Sequence, residues 1–208
     1  MFSEGEMVWG ANKAIRSPED FANQKIRTFT STIPVETYKA YGATPTPLSW
    51  GEVYGSLQLK TIDGMVNPIY FIYNAKGHEV QKYLMFPGQQ PYVGTASTNA
   101  KWFNKQSPEK QAMIKKAAAA AEQAAYEYQL RINKENMDKI MQERPNMQVV
   151  VLTEEERSRF KKLAESLHET FYDVVENAYK DGKKADARKG AKMILDNLLE
   201  EVEAARNS

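Results

Sequence analysis

Residues 42–54 read Gly-Ala-Thr-Pro-Thr-Pro-Leu-Ser-Trp-Gly-Glu-Val-Tyr, an extended segment that runs directly into the start of a helix. A residue that precedes proline avoids the α region, so 43–48 is predicted to be extended. The two prolines argue against a fully hydrogen-bonded central strand. Ser49 and Glu52 have the spacing of a capping box, in which the serine caps the helix and the glutamate reaches back. This spacing predicts a helix that ends near Leu59.

A strand-like stretch precedes this segment. Lys25–Thr30 alternates like a strand, after a short helical turn that Ser17 and Pro18 open. A short helix is predicted over 35–41, where Gly42 ends it. Strand, helix, strand and helix thus follow one another, and this alternation predicts right-handed crossovers in a parallel or mixed sheet. The predicted fold class is α/β.

The middle of the chain holds two short apolar runs and one very long helix. Asp63-Gly64 predicts a turn, and 69–73 and 83–86 are interpreted as further strands or buried runs. The helix that begins at Ser107-Pro108 meets no breaker before Pro145, so at about 1.5 Å per residue it could reach roughly 50 Å. Such a helix is expected to span two bodies or to kink.

The rest of the chain is predicted to be mostly helical. Residues 147–152 form an apolar strand, and Thr153 with Glu156 repeats the capping-box spacing. The helix that follows has an apolar stripe that is expected to face the core, made of Phe160, Leu163, Leu167, Phe171 and Val174. Residues 180–184 interrupt this pattern. A final helix carries apolar side chains along one side: Met193, Ile194, Leu198, Leu199 and Val202.

Charge and composition exclude several classes of function. The 28 lysine and arginine residues nearly cancel the 27 aspartate and glutamate residues, so no global field would recruit nucleic acid. Because the chain has no cysteine, disulfides, thiolate-bound zinc and a cysteine nucleophile are excluded. His168 is interpreted as a surface or edge histidine, and His78 is no better placed for chemistry. We expect no metal, no other cofactor and no nucleic-acid partner.

Three residues stand out as candidates for a binding site. Arg27 lies in the middle of a predicted strand, where a guanidinium needs a carboxylate, either from the protein as a structural ion pair or from a ligand. Trp50 opens a capped helix, where it either belongs to the core or lines a cleft. Asn67, before Pro68, is either a plain turn residue or a polar ligand contact.

Six pieces of the sequence carry a family resemblance, namely 15–20, 25–27, 42–54, 57–58, 63–64 and 67–68. In this order and spacing they closely resemble the substrate-binding proteins of tripartite ATP-independent periplasmic (TRAP) transporters, of the DctP type. Residues 78–84, 99–102 and the long helix also resemble this family. The resemblance therefore covers nearly the whole chain.

The resemblance implies a two-lobed, periplasmic-binding-protein-like α/β receptor with a mixed sheet and a long inter-lobe helix. Such a receptor closes on an organic acid and delivers it to integral membrane subunits, and it is not an enzyme. By the same resemblance, Arg27 pairs with the ligand carboxylate, Asn67 contacts the same group and Trp50 lines the cleft. Thr30, at the end of the predicted strand, is placed with them as a candidate ligand-binding residue.

The chain departs from the family in length and at three positions. Members usually run to roughly 300 residues, a two-lobe size, so the first lobe is expected to be largely missing here. A second ligand-facing arginine of several members aligns with Met7. Val66 stands where the family often has glutamate, and Asn23 stands where it usually has glycine. We expect these changes to affect ligand preference and local turns rather than the fold.

The predicted organisation has three parts: a ligand-binding lobe at 13–90, a crossover strand with the spanning helix and return strand at 91–152, and C-terminal helices at 153–208. The N-terminus is acidic and no long apolar run is present, so no signal peptide is predicted. Periplasmic localisation therefore rests on the resemblance, as does a monomeric state if the chain is complete. Two alternatives stay open: a truncated remnant that binds nothing, and an α/β enzyme that acts on a carboxylic acid.

Overall fold

The structure, a computed structural model, describes residues 1–179 and 183–206. Its strands are β1 (Phe2–Glu6), β2 (Val8–Ala11), β3 (Lys25–Thr28), β4 (Thr44–Pro47), β5 (Gly64–Asn67), β6 (Tyr83–Phe86), β7 (Pro91–Gly94) and β8 (Gln148–Val151). Its α-helices are α1 (Thr32–Ala40), α2 (Val53–Gln58), α3 (Ile69–Asn74), α4 (Gly77–Val80), α5 (Ala100–Asn104), α6 (Pro108–Glu143), α7 (Glu154–Ala164), α8 (Leu167–Ala178) and α9 (Lys184–Arg206). Two short 3-10 turns, Pro18–Phe21 and Trp50–Glu52, precede β3 and α2.

The main sheet is mixed, as predicted, and has the strand order β4-β3-β5-β2-β6-β8. Strand β3 runs parallel to β4 and β5, and β6 runs parallel to β8. Strand β2 lies antiparallel between β5 and β6. The segment 13–90, predicted to be the ligand-binding lobe, supplies only part of this sheet, because β2 precedes it and β8 follows it.

The proline-rich segment forms an edge strand. Strand β4 pairs with β3 alone, and Pro45 and Pro47 lie opposite Ile26 and Thr28. An edge position tolerates proline because one side of the strand needs no backbone donors. Gly42, which follows α1, has φ +91, a conformation that favours glycine.

The two faces of the sheet bury separate apolar clusters, because neighbouring residues of a strand point to opposite sides. In β2, Val8 belongs to one cluster and Trp9 to the other. In β6, Leu84 and Met85 divide in the same way. The sheet is therefore covered on both faces, by α2, α3 and the end of α6 on one and by α1 and α7 on the other.

Aromatic rings dominate the second cluster. The ring of Trp9 lies 4.9 Å from that of Phe21 and 5.1 Å from that of Phe160, edge to face in both cases. Phe160 also lies 5.1 Å from Tyr41. The Trp9 indole Nε1 donates to the Tyr38 hydroxyl at 2.9 Å, so the polar atom of the buried tryptophan is satisfied. These contacts seat α1 and α7 on the sheet.

Strands β1 and β7 form a separate antiparallel ribbon, and the long helix packs against it. Helix α6 is a single unbroken helix of 36 residues, which is about 54 Å long at 1.5 Å per residue. Asn133 of α6 ties the ribbon to α3, since its Nδ2 donates to the Glu4 carbonyl at 3.0 Å and its Oδ1 accepts from the Tyr70 amide at 3.2 Å. The helix thus holds ribbon and sheet together.

Two sequence predictions of local structure need correction. Residues 69–73, interpreted as a strand or a buried run, form helix α3, which packs on α6; the strand is wrong, whereas Ile69 and Ile72 are buried. The stripe expected on one helix falls on two, α7 and α8, and Leu163 and Val174 are exposed while Tyr172 is buried instead. The predicted interruption at 180–184 falls largely on 180–182, outside the described residues.

The start of α7 offers a test of local stability. The Thr153 side chain accepts from the Glu156 amide at 3.3 Å, and the Glu156 carboxylate accepts from the Thr153 amide at 2.7 Å. We expect Thr153→Ala to lower the free energy of unfolding by about 1 kcal/mol, the usual value of an N-cap. Urea denaturation measures this loss. Ser31→Ala is the control, because Ser31 precedes α1 with an exposed side chain that caps no backbone amide. Equal losses in both variants would contradict the assignment.

In the described part of the chain, no helix combines the length and the apolar character needed to cross a membrane.

Candidate functional site

Strand order brings three of the four predicted site residues together. Arg27 lies in β3, between the edge strand β4 and β5. Asn67 is the last residue of β5, and the chain reaches Trp50 just after β4 ends. Because β3, β4 and β5 are parallel, their carboxyl ends lie at one edge of the sheet, where open α/β sheets bind ligands.

The Arg27 guanidinium is held by two neutral acceptors. Its Nε and Nη2 donate to the Leu48 carbonyl at 3.2 and 3.0 Å, and its Nη1 donates to Asn67 Oδ1 at 3.4 Å. Arg27 and Asn67 are only 4% and 2% exposed. Among the described residues, no carboxylate lies within ion-pair distance of Arg27. The structural ion pair, one of its two interpretations, is therefore not found in the described chain.

Burial makes this charge costly. A guanidinium away from water loses solvation that neutral dipoles only partly replace, and burial accordingly lowers the pKa of Arg27. The group stays protonated, since an arginine does not lose its proton in a protein. A carboxylate that reached it would supply the missing counter-charge in a fork geometry that suits both groups.

Two aromatic rings lie over this charge and two more pack against them, and we call the set of Phe29, Trp50, Phe71 and Tyr92 the aromatic box. The Phe29 and Trp50 rings have their centroids 4.9 and 5.6 Å from Arg27 Cζ. Phe71 joins the set at 5.2 Å from Trp50 and 5.7 Å from Tyr92, and Tyr92 stacks on Phe29 at 5.8 Å. Trp50 is 39% exposed, so the box is partly open to solvent at this ring.

The capping box of Ser49 and Glu52 lies directly beside the site. The Glu52 carboxylate accepts from the Ser49 hydroxyl and, at 3.1 Å, from the Ser49 amide. These hydrogen bonds, the hydroxyl first, lower the pKa of Glu52 and keep it charged. These hydrogen bonds stabilise the turn that follows β4. The Leu48 carbonyl in this turn accepts from Arg27, and the Trp50 ring lies beside the guanidinium. The sequence motif at 49–52 is thus part of the site as well as a helix start.

Thr30 is the fourth predicted site residue, and Phe29, Phe71 and Tyr92 are residues of the box that the sequence analysis did not name. Thr30 is exposed in the bend after β3. Phe29 lies two residues after Arg27, a spacing that places both on the same side of an extended chain and that could have indicated it. Phe71 and Tyr92 come from α3 and β7, and no spacing in the sequence links them to Arg27.

The two histidines lie outside this site, and His78 has a structural contact. His78 is 2% exposed, and its Nε2 lies 2.9 Å from the Glu143 carboxylate at the end of α6. The imidazole stacks on Tyr73 at 4.9 Å, and the Tyr73 hydroxyl donates to the same carboxylate at 2.8 Å. His78 therefore ties α4 to the long helix. No group of histidines and carboxylates in the described chain has the arrangement of a metal site.

A buried arginine, without a carboxylate partner among the described residues, thus lies beside a partly exposed aromatic box at the carboxyl ends of parallel strands. This arrangement has the charge and the apolar surface that a small anion can use. Comparison with known proteins gives the family. Residues 1–174 match DctP, described as bacterial extracellular solute-binding protein, family 7. The chain belongs to this family.

Two curated relatives and one solved structure illustrate the similarity. The ectoine/5-hydroxyectoine-binding periplasmic protein UehA of Ruegeria pomeroyi is 38% identical over 175 residues, 84% of this chain and 52% of its own length. The ectoine-binding periplasmic protein TeaA of Halomonas elongata is 40% identical over 175 residues, 84% of this chain and 51% of its own length. The solved ectoine-binding protein of the TeaABC TRAP transporter superposes with a TM-score of 0.81 at 36% identity, over 94% of this chain and 62% of that one.

The periplasmic-binding-protein-like α/β fold is thereby confirmed, with its mixed sheet and long helix. The chain spans about half the length of the curated relatives it matches.

Proposed function

We propose that this chain provides the carboxylate-binding part of an extracytoplasmic solute receptor of the TRAP type. The observation that carries the proposal is the buried Arg27 guanidinium, which donates to the Leu48 carbonyl and Asn67 and has no carboxylate partner among the described residues. A ligand carboxylate neutralises this charge and excludes water from it as the site closes, which strengthens the pairing. The open and closed forms are in equilibrium, and the ligand shifts it by binding the closed form more tightly.

Ectoine is the proposed ligand, or a closely related cyclic amidine acid. The relatives UehA and TeaA are named as ectoine-binding proteins. Ectoine combines a carboxylate with a delocalised cationic ring. The carboxylate suits Arg27, and the flat cation suits the faces of Trp50 and Phe71 through cation–π attraction. A site that pairs one guanidinium with several aromatic faces favours such a zwitterion over a simple dicarboxylate.

The proposed partners and location are inferred from the relatives in the family. The solved relative is the ectoine-binding protein of a TRAP transporter, and UehA and TeaA are named as periplasmic proteins. We therefore propose that the receptor works in the periplasm and delivers its ligand to integral membrane TRAP subunits.

An enzyme is disfavoured, because the family is one of solute-binding proteins and no carboxylate or histidine among the described residues hydrogen-bonds with Arg27 or Asn67. A non-binding, self-associating chain is a second candidate. It is favoured by the exposed side of α9, where Met193, Ile194 and Leu198 are 59, 61 and 54% exposed.

A thermal-shift series tests the ligand. At about 100 times its Kd, ectoine is expected to stabilise the chain by about 2.7 kcal/mol, which raises Tm by roughly 5–10 °C for a chain of this size. Succinate, which lacks the ring, is expected to shift Tm less. The matched control is the ectoine ring without its carboxylate, for which no shift is expected. An equal shift with this analogue would refute the role of Arg27, and no shift with any acid would support the non-binding candidate.

A further inference from the structure

The last two described helices, α8 and α9, form a hairpin with an open groove between them. The groove has a volume of about 380 Å³. Apolar and small side chains of both helices make up most of its lining, among them Phe171, Val175, Ala187, Gly190 and Ile194. Lys183 and Asp186 line the end of the groove where α9 begins. Neither Arg27 nor any residue of the aromatic box lines it, so the groove is separate from the proposed ligand site.

Arg188 fixes this hairpin without lining the groove. Its guanidinium pairs with three carboxylates of α8, namely Glu169 at 2.6 Å, Asp173 at 2.5 Å and Glu176 at 3.1 Å. A network of several charges holds two helices better than an isolated surface pair does. The groove is therefore a formed surface of the chain.

Helix α9 exposes large apolar side chains along the groove and beyond it. Ile194 is 61% exposed, Leu198 is 54% exposed and Val202 is 45% exposed. These residues follow one another at helical spacing, so they form one continuous apolar side of the helix. An exposed apolar surface of this kind marks an interaction site.

The groove residues of α9 have the spacing of two helices that pack side by side. Successive steps of four, three and four residues connect Lys183, Ala187, Gly190 and Ile194. Lys183 shares the helical register, because its carbonyl accepts from the Ala187 amide at 3.0 Å. Further steps of three and four residues lead to Asn197 and Glu201, which are exposed. We call these six residues the seam.

The seam is complementary to a second copy of itself when the two helices run antiparallel. One register then pairs Lys183 with Glu201 of the partner subunit, Ala187 with Asn197 of the partner subunit and Gly190 with Ile194 of the partner subunit. Each small residue faces a larger one, and opposite charges meet at both ends. Gly190 leaves room for the isoleucine, because a Cβ on it would meet no atom within 4 Å. A parallel pair would instead place like charges together at each end.

The charge of the whole helix favours the same orientation. Residues 183–192 contain five basic side chains and one acidic side chain, whereas 193–204 contain four acidic side chains and no basic one. This distribution is the reverse of the one that stabilises a single helix, whose N-terminus prefers acidic residues and whose C-terminus prefers basic ones. An antiparallel second copy places each basic half beside an acidic half and so compensates both.

We propose that two copies of this chain associate through the seam, with their α9 helices antiparallel and an α8 helix beside each. The assembly is a symmetric four-helix bundle in which both subunits use the same surface. Ile194 of each subunit packs over Gly190 of the other, and the exposed apolar side of α9 is removed from water. The association does not depend on ligand binding at Arg27, because the two sites share no residue.

Sedimentation equilibrium of the 208-residue chain tests this proposal. The parent is expected to reach twice its mass of 23.7 kDa, whereas Gly190→Glu is expected to keep the single mass. This variant is expected to fold, since glutamate favours a helix more than glycine does and its Cβ meets no atom in the monomer. Ala185→Glu is the control, because Ala185 is exposed on the same helix and does not line the groove. The control is expected to associate as the parent does.

A charge exchange tests the orientation. Lys183→Glu is expected to raise the Kd of the dimer about tenfold, because two equivalent pairs become repulsive. Combining it with Glu201→Lys is expected to restore the parent Kd. A parent that keeps the single mass at about 1 mM would assign the groove to another occupant and overturn the proposal. A dimeric Gly190→Glu with a parent-like circular dichroism spectrum, or a charge exchange that restores nothing, would also overturn it.

Discussion

Arg27→Ala is expected to weaken ectoine binding by about 3–5 kcal/mol, which is roughly 100- to 4,000-fold in Kd. The reason is that the ligand carboxylate then enters a buried site with no cation. The Leu48 carbonyl and Asn67 Oδ1, which accept from Arg27, cannot replace a cation for a ligand anion. Isothermal titration with the parent and the variant measures the loss.

Two further variants show whether the loss comes from the charge and geometry of Arg27. Arg27→Lys keeps the charge but loses the planar fork, so an intermediate loss is expected. Arg16→Ala removes an exposed arginine that pairs with Glu156 at 2.9 Å, and it is expected to leave Kd unchanged. A parent-like Kd in Arg27→Ala, with a parent-like circular dichroism spectrum, would contradict the assignment of the anchor.

Phe160→Ala is expected to lower the free energy of unfolding by about 3–5 kcal/mol. Phe160 is 3% exposed and packs against the rings of Trp9, Phe21 and Tyr41, so its loss leaves a cavity between α7 and the sheet. For a chain of this length the loss lowers Tm by roughly 6–20 °C.

The control for this prediction is Leu163→Ala, one turn further on the same helix. Leu163 is 36% exposed, so the expected loss is about 1 kcal/mol or less. Chemical denaturation of both variants gives the comparison. Similar losses would show that the aromatic cluster does not seat α7.

The local sequence predicted the parts of the fold that depend on backbone chemistry. Prolines at 45 and 47 indicated an extended segment outside the sheet centre, and β4 lies at the edge. The capping boxes at Ser49 and Thr153 were confirmed, as was the long helix from Pro108. Asn23 adopts φ 62, a conformation that asparagine tolerates better than most residues, which fits its place where the family usually has glycine.

Long-range packing decided what the sequence did not show. Strand β2, Val-Trp-Gly-Ala, has no alternation because both of its faces are buried between β5 and β6. Residues 69–73 have the aromatic and branched composition of a strand, yet they follow Pro68 as a helix because α3 packs on α6. The C-terminal stripe was placed on one helix, whereas the chain bends between Ala164 and Leu167.

From the residues alone, Arg27, Trp50 and Asn67 each had a structural alternative, and the family resemblance grouped them; their binding role stays a prediction. Arg27, Trp50 and Asn67 come from neighbouring parallel strands and their following turns, so one sheet edge brings them together. Phe71 and Tyr92 complete the aromatic box from α3 and β7, which only the folded chain places beside Arg27.

The most direct test of the binding site is an NMR titration of the three tryptophan indole N–H signals with ectoine, assigned with Trp50→Phe. Trp50 lies beside Arg27, Trp9 is buried in the aromatic core, and Trp102 is half exposed on α5. If the proposal is right, the Trp50 signal shifts with saturation while those of Trp9 and Trp102 stay in place. An unmoved Trp50 signal, or a shift confined to Trp9 or Trp102, would contradict an ectoine site at Arg27.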